Sequence, residues 1–375
     1  MAGIYLHIPF CRQACAYCNF HFATSLRYKR PMVAALAKEA VIQKPYLQGE
    51  PLATIYFGGG TPSLLEGDEI LFLLQTIREH YTVLPDAEIT LEANPDDITP
   101  AKLDAWKSAG INRLSMGVQS FREADLRWMN RAHNSAQALD SIRMAQAAGL
   151  YNISIDLIYG TPGLDDAAWK ANVAQALALE IPHLSCYALT VEEKTPLHKQ
   201  IERKQKVDVD NEQQAHQFLL LMQWLKAAGY EHYEVSNFAL PGWRSRHNSS
   251  YWRGEKYLGL GPSAHSFNGT SRQWNVANNN VYIQSLEGGT VPFEIEVLTP
   301  EQQLNEHLMI SLRTAEGLNL DVVASRWGQS AAENIQRQVT KFAQRGLLQI
   351  TGSNIQLTND GMLRADGIAA DLFVD

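Results

Sequence analysis

Cys11-Arg12-Gln13-Ala14-Cys15-Ala16-Tyr17-Cys18 gathers three of the four cysteines of this 375-residue chain into eight positions. It directly follows Gly3-Ile4-Tyr5-Leu6-His7-Ile8, an apolar run that reads as a short buried strand closed by Pro9. Thiols this dense at the end of a strand make a metal site. Three thiolates leave a tetrahedral iron or a four-iron cube one ligand short, and a [4Fe-4S] cluster held by three cysteines keeps one iron open to an exchangeable ligand. The competing reading is a structural zinc site with His7 or His21 as fourth ligand, although such sites usually draw their ligands from separated cysteine pairs.

Around that loop the sequence sets broad bounds. The length suits a barrel-sized domain plus a smaller one. No signal peptide and no membrane-length apolar run is read, and the cysteine usage fits a reducing compartment, so a cytoplasmic location is expected. The formal charge of -8 argues against a nucleic-acid partner held through phosphates. Homodimerisation is left open.

Further along, strand-like runs alternate with helical ones. After the first strand come a helix at 31–44, a strand at 52–57 running into Gly58-Gly59-Gly60-Thr61-Pro62, and a helix at 68–80. Strands at 87–92, 113–119, 152–158 and 183–189 follow, separated by helices at 100–110, 135–148 and 166–179. Six mostly apolar strands with helices between them predict a parallel sheet covered by helices, an open (β/α)6 barrel whose ligands gather at the carboxyl ends of the strands. The cysteine loop, the glycine run, Glu92, Gln119 and Asp156 all fall at such ends. A long helix at 211–228 and a strand near 232–236 extend the domain. An aromatic and arginine-rich segment, 242–254, reads as a working loop, and asparagines 278–280 mark a turn. From 299 on, amphipathic helices at 301–314 and 330–345 and a hairpin around Gly352 predict a winged-helix-like α+β domain. The expected division is therefore 1–240, 241–298 and 299–375.

Cys-x3-Cys-x2-Cys with an aromatic, Phe20, two places on, and the glycine run on the second strand, resembles the radical S-adenosylmethionine superfamily. Within it, His7-Ile8-Pro9-Phe10-Cys11, Phe57 to Pro62, Gly117-Val118-Gln119-Ser120-Phe121 and Asp156-Leu157-Ile158-Tyr159-Gly160 resemble the subfamily of oxygen-independent coproporphyrinogen dehydrogenases and their heme-chaperone relatives. The resemblance implies a [4Fe-4S] cluster on Cys11, Cys15 and Cys18. It further implies S-adenosylmethionine contacts from Tyr5, Tyr17, Gly59, Gly60, Thr61, Glu92, Gln119, Arg131 and Asp156. Taken without the resemblance, the glycine run can be a tight turn, the three polar residues ordinary strand ends and Arg131 a solvated surface residue; Arg131 rests mainly on the resemblance.

The two branches of that subfamily differ in this sequence at recognisable places. The dehydrogenases carry a further cysteine where Phe20 stands and an N-terminal arm before the first strand. His247-Asn248-Ser249-Ser250-Tyr251-Trp252 matches the His-Asn-x-x-Tyr-Trp motif of the chaperone branch, which implies heme binding through His247, Asn248, Tyr251 and Trp252. The residue types suit it: an imidazole for iron, aromatic faces for the macrocycle, and Arg244, Arg246 and Arg253 for the propionates. His247 can instead spend its nitrogens on hydrogen bonds within the loop. The expected function is a heme chaperone that passes heme to hemoproteins such as respiratory enzymes. The alternative is the coproporphyrinogen dehydrogenase. Cys186 reads as inert core, and His183 and His265 stay unassigned; His265 follows a glycine-proline turn, from which facing the same mouth is one option.

Overall fold

The computed structural model describes residues 1–374. Strands β1 (Ala2–Ile8), β2 (Leu52–Gly59), β3 (Val83–Ala93), β4 (Arg113–Gln119), β5 (Ile153–Tyr159) and β6 (His183–Ala188) pair in parallel in chain order. Their helices are α1 (Lys29–Ile42), α2 (Gly67–His80), α3 (Pro100–Ala109), α4 (Glu123–Trp128), α5 (Ser135–Ala147) and α6 (Asp166–Ala178). Punctuation in the sequence explains these bounds. Thr99 caps α3, Pro100 opens it, and Gly110, in the left-handed region, ends it. The sheet buries one continuous core that includes Phe57, Trp106 and Trp169.

Beyond β6 the chain departs from the alternating pattern. Helices α7 (Pro196–Glu202) and α8 (Asn211–Ala227) lead to β7 (Glu231–Glu234) and β8 (Asn237–Ala239), both antiparallel, where the sequence suggested one strand. The segment read as an irregular loop instead contains a helix, α9 (Arg246–Trp252). Ser245 caps it through the Asn248 amide at 3.3 Å, and the buried Glu88 carboxylate of β3 accepts from the Arg246 and His247 amides, both at 3.1 Å. A carboxylate on those unpaired first-turn amides stabilises so short a helix.

Strand β9 (Tyr257–Leu260) then joins β1 in parallel, a seventh parallel strand supplied from the far side. Three antiparallel strands, β10 (His265–Phe267), β11 (Ser271–Asn275) and β12 (Phe293–Val297), complete a twelve-stranded sheet. Asn278, read as part of a turn, caps α10 (Asn279–Glu287), so asparagines 279 and 280 are helical.

The remaining chain has its own core. It comprises α11 (Pro300–Leu312), β13 (Leu318–Asn319), α12 (Leu320–Trp327), α13 (Gln329–Gln344), β14 (Leu348–Thr351), β15 (Asn354–Leu357), α14 (Asn359–Met362) and α15 (Ala365–Ala370), with sheet order β13-β15-β14. Arg313 ties it to the barrel, pairing with Glu234 at 3.0 Å and resting its guanidinium 5.3 Å from the Trp252 ring centre. Among the described residues no helix is long and apolar enough to cross a membrane.

Candidate functional site

Strand β1 carries the cysteine loop to the carboxyl end of the sheet, and the loop is held there by main-chain and side-chain bonds. Cys11 N donates to Ala23 O at 3.0 Å, Ala16 N to Met129 O at 3.2 Å, and the Asn130 side chain to Ala14 O at 2.9 Å. The loop closes over a chamber of about 510 Å³ lined by all three clustered cysteines. Burial pushes the Cys11 thiol up to about 11 and raises that of Cys18 as well, so metal loading must displace protons. Among the described residues no three His, Cys, Asp or Glu side chains close on a point that would hold a single ion. A cube-shaped cluster takes one thiolate per iron, at separate corners.

Tyr17, Gly59, Gly60, Thr61, Glu92, Gln119, Arg131 and Asp156 line this same chamber, delivered by the loop, by β2 to β5 and their ends and, for Arg131, by the turn between α4 and α5. Tyr5 does not: it faces a second cavity. Arg131, which nothing in its local sequence marked, is tightly organised. Its Nη1 donates to Cys15 Sγ at 3.0 Å, while Nη2 donates to Asn94 Oδ1 at 2.7 Å and Gly117 O at 2.8 Å. Its Nε is buried without a partner, an unspent donor of the kind a ligand carboxylate accepts from. Asn94 was missed from the sequence; its place beside Pro95 at the end of β3 was the available signal.

The glycines of β2 are needed for close approach. A Cβ on Gly60 would lie 2.6 Å from Phe10 O and 2.8 Å from Ile8 O, and Gly59 sits at φ +104° against the His7 ring. The glycine run thus lets the cysteine loop lie directly on β2.

Two carboxyls face one another at the chamber floor. Enclosure, and then the neighbouring Asp156, push Glu92 up to about 8, against the Tyr56 hydroxyl that donates to it at 2.8 Å. Burial pushes Asp156 up to about 6. A folded chain that keeps a proton on Glu92, which the unfolded chain releases near 4.5, is stabilised below that value. The stabilisation is lost as the pH rises through about 8. The ligand-free Glu92→Gln chain is therefore expected to gain melting temperature over wild type progressively between these pH values. An offset that is constant with pH would contradict the protonated carboxyl.

The motif residues on α9 separate into two groups. His247 is 1% exposed and lines neither cavity. Its Nδ1 is 2.7 Å from Thr54 Oγ1 and its Nε2 2.8 Å from the Tyr251 hydroxyl. Burial, and then the Arg113 charge, bring it down to about 3, so it is a neutral imidazole with one donor and one acceptor, both spent. Asn248 lines neither cavity. Tyr251 and Trp252 form a wall of the second cavity, about 1060 Å³, between the barrel and the C-terminal unit. Asn19 and Phe20, just past Cys18, line both spaces.

Comparison with known proteins agrees with this architecture. Residues 5–175 match the Radical SAM superfamily and residues 298–364 the HemN C-terminal domain. The chain is 36% identical over 375 residues to the heme chaperone HemW of Mycobacterium tuberculosis, covering 99% of this chain and 94% of that one. It is 34% identical over 367 residues to the heme chaperone HemW of Bacillus subtilis, covering 97% of each. Among solved structures, the coproporphyrinogen III oxidase HemN of Escherichia coli, a radical SAM enzyme, superposes with a TM-score of 0.85 at 25% identity, over 100% of this chain and 90% of that one. The chain belongs to the HemW family of heme chaperones, on a radical SAM scaffold.

Proposed function

We propose that this protein binds heme in the larger cavity and transfers it to hemoproteins, with a [4Fe-4S] cluster on Cys11, Cys15 and Cys18 and S-adenosylmethionine held in the adjoining chamber. The observation that carries this reading is that two of the motif side chains, Tyr251 and Trp252, form the wall of a cavity of about 1060 Å³. The other walls have matching chemistry. Phe20, Tyr257, Phe267 and Trp327 offer apolar faces, and Arg253, Arg272 and Arg326 offer cations for the two carboxylates of the porphyrin. The cavity opens on the outside of the molecule, as a site that must release its cargo to a recipient requires.

In the chamber, the residues fit the cofactors they would hold. Arg131 has a free Nε for the carboxylate of S-adenosylmethionine, Glu92 and Asp156 can accept from its amino group and ribose, and Gly59 and Gly60 keep the wall low beside them. When bound and reduced, the cluster supplies an electron able to cleave the sulfonium. Tyr17 and Phe20 add aromatic faces to the chamber lining.

Hemin titration of the purified full chain tests the reading. One heme per chain is expected, and Trp252→Ala should weaken binding about tenfold to a hundredfold through the aromatic face it removes. Unchanged affinity in a folded Trp252→Ala chain would move heme elsewhere. The likeness to the E. coli oxidase supports a second reading, oxidative decarboxylation of coproporphyrinogen, in which the same cavity holds a porphyrinogen.

A further inference from the structure

We propose that His265 on β10 is the axial ligand of heme iron in this cavity, and that His247 is a positioning residue that holds Tyr251 in its wall. This rests on the heme-binding reading above and assigns the iron contact within it.

The assignment follows from what each imidazole near the cavity already does. His247 has both nitrogens engaged, by Thr54 and Tyr251, and lies behind the wall. It cannot reach iron without breaking two buried hydrogen bonds, each expensive to leave unmade. His7 is buried, with Nε2 2.9 Å from His21 O and Nδ1 3.4 Å from the Tyr5 hydroxyl. His21 has its Nε2 2.8 Å from Asn279 Oδ1. His307 packs its ring against Trp327, has Nδ1 3.4 Å from Ser311 Oγ, and its Nε2 is sealed inside the wall. His7, His21 and His307 line the cavity too, but His265 is the one of the four whose side chain is exposed and, among the described residues, has no hydrogen bond to either ring nitrogen.

Its surroundings also suit the task. Side chains two apart on a strand share a face, so His265 and Phe267 present an imidazole and an aromatic face together, and both line the cavity. Arg272, the register partner of Phe267 on β11, adds a cation at the same wall, held at 2.7 Å by Glu306 of α11. Partial burial, then the Arg272 charge, lower the His265 pKa, which keeps the ring neutral and its lone pair available to a metal near pH 7. A short antiparallel strand bounded by bonds to β9 and β11 fixes the backbone that carries it.

His247 then acts at one remove. It lies four residues before Tyr251 on the same face of α9, and Thr54 of β2 anchors its far nitrogen. The bond to the Tyr251 hydroxyl orients that ring edge-on to Tyr257, with centres 4.6 Å apart.

The test compares wild type with His265→Ala, His265→Gly and His247→Gln, each full length and checked for folding by circular dichroism and thermal melting. Hemin is added, and coordination is read by absorption and electron paramagnetic resonance. Wild type should give an imidazole-ligated ferric spectrum. His265→Ala should lose that signature and bind hemin at least about tenfold more weakly, and free imidazole should restore the signature in His265→Gly. His247→Gln should bind more weakly yet keep the imidazole signature. An imidazole-ligated spectrum retained by folded His265→Ala, or its loss in folded His247→Gln, overturns the assignment. If wild type takes up no hemin, the heme-binding reading itself fails; that result is separate from a wild type that binds with an unaltered His265→Ala spectrum.

Discussion

Anaerobic reconstitution of the Cys15→Ala chain is expected to leave it with almost no cluster, against about four irons per wild-type chain. Cys15 is the central thiol of the loop and accepts from Arg131 Nη1 at 3.0 Å, a contact that fixes where its sulfur sits in the chamber. Removing it takes one of three anchors from a cluster that has no fourth protein ligand to spare. It also frees Arg131, whose remaining bonds to Asn94 and Gly117 O still shape the chamber. S-adenosylmethionine affinity should fall with the cluster, whereas hemin affinity should change little, because Cys15 lines only the smaller space. Iron and sulfide analysis beside a hemin titration checks both halves. Full iron content in the variant would contradict the three-cysteine assignment, and equal loss of heme would contradict two separate sites.

Gly60→Ala is expected to act on the same loop without touching a ligand. The added Cβ would come within 2.6 Å of Phe10 O, 2.8 Å of Ile8 O and 2.9 Å of Phe10 N. All three are main-chain atoms, so no side-chain rotation relieves the clash, and the strand carrying the cysteines must lift from β2. Overpacking of this kind costs about 1–3 kcal/mol. The displacement should be read most clearly as slower and less complete cluster assembly, accompanied by a lowered melting temperature. Gly367→Ala is the matched control: it lies inside α15 with nothing within 4 Å of the new Cβ, and helix propensity there favours alanine by about 0.5–1 kcal/mol. Equal behaviour of the two variants would remove the close-packing account of the glycine run.

The alternating core of the molecule was legible because each strand is a nearly unbroken apolar run and α3, α5 and α6 are opened by the caps Thr99, Asn134 and Asp165. β4 and β5 fall within a residue of their expected bounds. Strand β9 was not legible: four residues carry little periodicity, and its place beside β1 is decided by tertiary pairing across the whole domain. Helix α9 was hidden for a related reason. Its seven residues have no helical pattern of their own, and the partner that stabilises its start, Glu88, is 158 positions away from Arg246.

The candidate site divides in the same way. Residue types at strand ends pointed to Glu92, Gln119 and Asp156, and the structure brings them into one chamber with the cysteines. The Gln119 backbone there turns to φ +66°, a left-handed conformation that no local sequence feature announced. Tyr5 could not be assigned to a face from a buried strand that is apolar on both sides, and it falls on the other cavity. His247 was visible as a motif residue, but its engagement by Thr54 and Tyr251 depends on contacts 193 positions apart in one case. Two cavities separated by Asn19 and Phe20 are equally a product of tertiary structure.

The central claim is that the larger cavity carries heme as cargo. The most direct measurement loads the reconstituted, S-adenosylmethionine-supplied protein with one equivalent of heme, adds an apo-hemoprotein of the respiratory type, and follows the heme absorption band under anaerobic conditions. The account predicts that heme passes to the recipient faster than from an inert carrier such as albumin, and that Trp252→Ala delivers less because it loads less. Heme that stays on the chain or exchanges no faster than from albumin, with coproporphyrinogen consumed and carbon dioxide released in a parallel reaction, would contradict it.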